Sequence, residues 1–179
     1  MNEPGILAAC ISGNRSAQRA LFEQYSGSML LLCMRYLPDR QEAEEVMLNG
    51  FYQFFRSLGQ FRNTHEGSLQ AWIRRIMIHE SLMQLRRNKR ILFLPEEQGA
   101  AIAADDEGAL DRIQAAELLQ LVQTLPDGYR TIFNLYVIEG FSHKEIATAL
   151  QLSEGTSKSQ LNKARQLLQK KLAALQKTT

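Results

Sequence analysis

The sequence predicts an all-α protein, built as two small helical domains joined by an acidic linker. Three observations carry this. Apolar residues recur every three or four positions along most of the chain, and no stretch of alternating β-branched residues competes. The run FLPEEQGAAIAADDEG at 93–108 has no apolar stripe and combines Pro, Gly, small residues and acids, the composition of a tether. Charge is segregated although the net is only +2. Residues 62–90 hold seven Lys/Arg against two acids, 91–111 hold six acids and no base, and 156–179 hold six bases and no acid. The expected boundaries are 1–91 for the first domain, 92–108 for the linker and 109–179 for the second domain. Each domain is small but long enough for a helical bundle. Two basic segments flanking an acidic one suggest two sites for a polyanion; solvated helix faces are the competing reading.

Along the chain, a short helix is expected over 3–11 and a second over 15–37, with Leu21, Tyr25, Met29, Leu32 and Tyr36 at helical spacing. Pro38-Asp39 ends the second and starts a third over 40–58. In that third helix Met47, Phe51, Phe54 and Leu58 form one buried stripe. Leu48, Tyr52 and Phe55 lie beside it, more apolar surface than one buried face needs. The polar run RNTHEGS forms a loop, and a fourth helix covers 68–88 after Ser68 as its N-cap. Beyond the linker, residues 109–124 carry Leu110, Ile113, Leu118, Leu121 and Val122 as a helical stripe. The next helix has Pro126 early and Gly140 at its end. Ser142 and Glu145 are spaced as a capping box for a helix over 143–150. After the break QLS, a long helix runs over 153–175.

Several function classes drop out. Cys10 and Cys33 form no CxxC and have no neighbouring His, so a disulfide framework or zinc site is not expected. Their plain reading is two small core residues. Apolar runs such as MLLLCM are too short to span a membrane, no signal peptide is visible, and a cytoplasmic protein is expected. No His/Asp/Ser or Cys/His constellation suggests an enzyme, and no cofactor or metal is expected.

The stretch SHKEIATALQLSEGTSKSQLNKARQLLQKK has the form of a helix-turn-helix. Ile146, Ala147 and Leu150 bury its first helix, Leu152 fills the turn, and Leu161, Leu167 and Leu168 bury the second. Thr156, Lys158, Ser159, Asn162 and Lys163, with Gln166, are the candidate DNA-reading positions, able to donate to bases and phosphates in a major groove. An ordinary helical hairpin with a basic face is the bland alternative. Gln151 stands where such a turn usually has Gly, and Ser157 where the second helix is often apolar.

With both halves read, the chain resembles an extracytoplasmic-function (ECF) sigma factor of the sigma-70 family. LFEQYSGSMLLLCMRYLPDRQEAEEV and FRNTHEGSLQAWIRRIMIHESLMQLRR look like sigma domain 2; LPDGYRTIFNLYVIEGFSHKEIATALQLSEGTSKSQLNKAR looks like sigma domain 4. The resemblance implies a non-enzymatic initiation factor that binds core RNA polymerase and directs promoter recognition and melting. It implies that domain 2 docks on the clamp helices and helps melt the −10 element, while domain 4 reads the −35 element as duplex. The −10 candidates are Arg62, Asn63, His65, Trp72, Arg74, Arg75 and His79, since aromatic faces and cations suit separated bases. Trp72 also reads as core, and the cations Arg86, Arg87, Lys89 and Arg90 also suit a helix end. Implied partners are core polymerase, promoter DNA and, as is common in the family, an anti-sigma factor. The free protein is expected to be a monomer.

The chain departs from the family in the clamp-binding stretch. Against a pattern of acid, two apolar residues, Gln, then Asp or Glu, it reads Glu45-Val46-Met47-Leu48-Asn49. Glu45, Leu48, Asn49 and Tyr52 are the candidate polymerase contacts, with Leu48 and Phe55 on the shoulder of the exposed side. His79 stands where the family often has Asn. Two other functions compete: a helix-turn-helix regulator that does not act as sigma, and a degenerate sigma that works by sequestration.

Overall fold

The computed structural model describes residues 3–61, 68–88 and 115–176. Every regular element among them is helical. The chain divides into two compact units, Met1–Arg87 and Asn88–Thr179.

The first unit holds α1 (Glu3–Ile11), α2 (Arg15–Tyr36), α3 (Arg40–Ser57), a 3-10 turn (Leu58–Gln60) and α4 (Ser68–Arg87). Its helix starts are set by short polar side chains. The Ala17 N–H donates to the Asn14 carboxamide oxygen at 3.1 Å, and the Glu42 N–H donates to the Asp39 carboxylate at 2.8 Å. Ser68, the expected N-cap, is the first helical residue of α4 and is buried.

α2, α3 and α4 pack against one another, and α1 packs against α2. Met29, Cys33, Tyr36, Phe54, Ile73, Met77 and Leu85 are fully buried between them. Each large apolar side chain so buried contributes about 1.5–3 kcal/mol. Burial pushes the Cys33 thiol up to about 11, so it is a packing residue and not a nucleophile. Close approach of α3 to α4 depends on Gly50, where an added Cβ would lie 2.4 Å from Met77 Sδ. Aromatic rings link the core to the surface: Phe51 meets Phe22 at 4.8 Å, Trp72 meets Phe54 at 5.4 Å, and Trp72 stacks on Phe61 at 5.0 Å.

The second unit holds α5 (Ala115–Gln123), α6 (Asp127–Phe133), a π-helical turn (Asn134–Ile138), α7 (His143–Leu150) and α8 (Glu154–Gln176). Of the stripe expected at 109–124, Leu110, Ile113 and Leu118 lie outside the described side chains, while Leu121 and Val122 are buried. The single helix expected up to Gly140 is instead α6 followed by the π turn, closed by the Glu139 N–H donating to Asn134 O at 2.9 Å. One extra residue in the turn rotates the side chains beyond it about the helix axis. Leu135 stays buried while Val137 and Ile138 face outward. Gly140, at φ +75°, then reverses the chain in a conformation natural to glycine.

Arg130 anchors this unit. Its guanidinium is buried, donates to Leu125 O at 2.8 Å, and pairs with the Asp127 carboxylate. It ties α6 to the end of the α5–α6 connection, whose carbonyls would otherwise be stranded.

Candidate functional site

The expected capping box is present: the Glu145 N–H donates to Ser142 Oγ, and the Ser142 N–H donates to the Glu145 carboxylate at 2.8 Å. α7 ends at Gln151, which adopts φ 56° and ψ 47°. A non-glycine residue is therefore in the left-handed region, as the turn requires. Ser153 caps α8, accepting from the Thr156 N–H at 2.9 Å.

Ser157, at the place expected to be apolar, is fully buried and makes a 2.9 Å hydrogen bond with His143 Nδ1. The His143 ring stacks on Tyr136 at 4.3 Å. Desolvation, then the Lys158 charge, lower its pKa. An imidazole–hydroxyl hydrogen bond thus joins α7 to α8 where an apolar contact was expected.

On α8, Lys158 and Lys163 are exposed and Ser159 and Asn162 are half-buried on the same side. Thr156 differs from the expectation. It is buried, and its hydroxyl lies 3.0 Å from Ser153 Oγ, so it builds the helix start instead of presenting a donor outward. Gln166 is exposed, two turns along from Ser159.

On α4, Arg75 and His79 are exposed one turn apart, and Arg74 is half-buried. Trp72 is half-buried, one ring face covered by Phe61, so it belongs to the aromatic wall as well as to the surface. Arg62, Asn63 and His65 lie outside the described residues, as do Lys89, Arg90 and the expected linker.

On α3 the extra apolar strip separates. Phe55 is half-buried at the shoulder, its ring 5.0 Å from Phe54. Leu48 is no shoulder residue: it is 54% exposed, and Tyr52, one turn on, is 58% exposed. The Arg56 guanidinium carbon sits 5.5 Å from the centroid of the Tyr52 ring. Glu45 is exposed, and the Asn49 side-chain amide donates to the Glu80 carboxylate of α4 at 2.9 Å. Sequence reasoning missed Glu80, Arg130 and the His143–Ser157 contact. Asn49 and Glu80 are 31 residues apart, and no local pattern links them.

Comparison with known proteins decides what these surfaces belong to. The Sigma-70 region 2 family matches residues 21–91, and the Sigma-70, region 4 family matches residues 115–168. The RNA polymerase sigma-H factor of Pseudomonas aeruginosa is 30% identical over 178 residues, covering 91% of this chain and 90% of that protein. The chain belongs to the ECF group of the sigma-70 family.

Two further relatives of this sigma factor carry the ECF designation. The ECF RNA polymerase sigma factor SigE of Mycolicibacterium smegmatis is 30% identical over 158 residues, covering 86% of this chain and 60% of that one. The ECF RNA polymerase sigma factor SigW of Bacillus subtilis is 27% identical over 175 residues, covering 91% and 92%. The sigma factor directs transcription initiation with RNA polymerase at promoter DNA. Among its described residues no helix is long and apolar enough to cross a membrane.

Proposed function

We propose that this sigma factor divides its task among α3, α4 and α8. α3 docks on core polymerase through Glu45, Leu48, Asn49 and Tyr52. α4 contacts the −10 element through Trp72, Arg74, Arg75 and His79, together with Arg62, Asn63 and His65, which precede it in the sequence. α8 enters the −35 major groove with Lys158, Ser159, Asn162 and Lys163, while Thr156 supports the helix start.

The observation that carries the docking role is the Leu48–Tyr52 strip, more than half exposed on a helix whose Val46, Met47, Phe51 and Phe54 are buried. Covering Leu48 removes apolar area from water and stabilises the complex by about 1–2 kcal/mol. Leu48→Asp forfeits that burial and adds a carboxylate to desolvate. Its affinity for core polymerase is expected to fall at least ~tenfold. Unchanged affinity would refute the docking role of α3. Run-off transcription with core polymerase and a random promoter pool defines the promoter. The free sigma factor is a cytoplasmic monomer in this reading, and an anti-sigma partner would act by covering these same surfaces. A partner that co-purifies with the wild type but not with Leu48→Asp supports that mode of inhibition; equal recovery of both counts against it.

A further inference from the structure

The polymerase-facing strip of α3 is bordered by a carboxylate from a different helix. α3 and α4 run in opposite directions along their seam, with Glu42 against Gln84, Asn49 against Glu80 and Phe54 against Trp72. Glu80 therefore falls beside the middle of α3, at Asn49, which is one turn from Tyr52 and adjacent in sequence to Leu48. The one hydrogen bond to its carboxylate among the described residues comes from Asn49, at 2.9 Å to Oε2. No cation pairs with Glu80 or Glu45 among those residues, whereas Glu44 is neutralised locally by Arg40 at 2.8 Å.

An amide donor orients a carboxylate without cancelling its charge. One oxygen of Glu80 is held by Asn49, and the other keeps its lone pairs for a donor from outside. An acid at position 49 would set two carboxylates at hydrogen-bond distance, which like-charge repulsion opposes. With Asn at position 49, the negative charge at this point of the seam comes from Glu80 alone.

Resting on the docking role of α3, we infer that Glu80 is a polymerase-contact residue. Positioned by Asn49, it takes a lysine or arginine of the core polymerase surface that covers Leu48 and Tyr52. Apolar burial supplies area, and the two carboxylates, Glu45 and Glu80, fix the register of docking.

The test measures binding of the full-length protein to core polymerase for five variants, each checked for an unchanged melting temperature. Glu80→Gln keeps the bond to Asn49 and removes the charge. It is expected to weaken binding about fivefold at low salt, with the deficit shrinking as salt rises. Asn49→Asp with Glu80→Gln moves the charge back to α3 and keeps the hydrogen bond, and is expected to restore affinity to within ~twofold. Glu23→Gln, on α2 and paired with Arg19, is the charge control and should change nothing. If Glu80→Gln binds like wild type while Leu48→Asp binds weakly, the inference is wrong and the docking role stands. If Leu48→Asp also binds like wild type, the docking role itself fails. If Glu80→Gln weakens binding and the double variant does not restore it, the idea that a charge at position 49 can replace that of Glu80 is refuted. The fifth variant, Asn49→Ala, should weaken binding less than Glu80→Gln, because it frees the carboxylate without removing it; a larger loss would overturn the positioning role.

Discussion

Arg130→Met tests whether one buried guanidinium holds the second unit together. Methionine replaces the aliphatic stem and removes the charged head. The structure shows what the head does: it donates to Leu125 O at 2.8 Å, reaches Gln123 O at 3.5 Å, and pairs with Asp127, whose side chain is 26% exposed. The bond from a charged donor to a buried carbonyl contributes about 1.5–3 kcal/mol. The pairing with a partly exposed carboxylate adds less than about 1 kcal/mol. Relief from burying a charge offsets part of this, while the Leu125 carbonyl is left without its donor. The net expected loss is about 2–3 kcal/mol. For the residues from 115 to 176 a total stability of roughly 3–9 kcal/mol is expected, so the loss is a large fraction of it. Urea unfolding followed by circular dichroism, with binding to a −35 duplex as reporter of this unit, measures it. Asp127→Asn should cost less than half as much as Arg130→Met. A change under ~0.5 kcal/mol for Arg130→Met would refute the anchoring role, since that lies within the range of neutral surface substitutions.

Three further outcomes are expected. Gln151→Gly relieves the left-handed backbone at φ 56° and should stabilise the second unit by about 0.5–1 kcal/mol in thermal melts, with −35 affinity unchanged or improved. Gly50→Ala drives a Cβ against Met77, a fully buried side chain with little room to move; overpacking outweighs the better helix propensity, and urea unfolding should show a loss of about 1–2 kcal/mol in the first unit. His143, whose folded pKa is lowered chiefly by desolvation, binds fewer protons when folded than when unfolded. Its contribution is therefore full above the unfolded value near 6.5 and is lost as pH falls through the lower folded value. Melts of the second unit from pH 7.5 to 5 should show this decline, and His143→Gln should flatten it; an equal slope in both proteins would exclude His143 as the source.

Much of the fold was legible because its signals are local. Asp39 caps a helix within three residues of itself, and Ser142 with Glu145 closes a box inside a single turn. The stripe Met47, Phe51, Phe54 and Leu58 buries as its spacing requires. The left-handed residue at 151 is a demand of the turn between the two helices, whatever side chain occupies it. The π turn at 134–138 was not legible, because an inserted residue in a helical turn leaves the apolar rhythm of the sequence almost unchanged.

The sequence by itself determined the helical class, the two-part organisation and the family, since periodicity, capping and the order of motifs are all properties of the linear chain. Only tertiary structure decided which apolar residues of α3 remain outside. Phe55 folds toward Phe54 while Leu48 and Tyr52 do not, a choice made by neighbouring helices. Tertiary structure also decided where the charge beside them resides. Asn49 supplies an amide, and the carboxylate it holds comes from Glu80, 31 positions away. Helix periodicity orders residues on one helix, but which residue of a second helix lies across the seam depends on how the two pack.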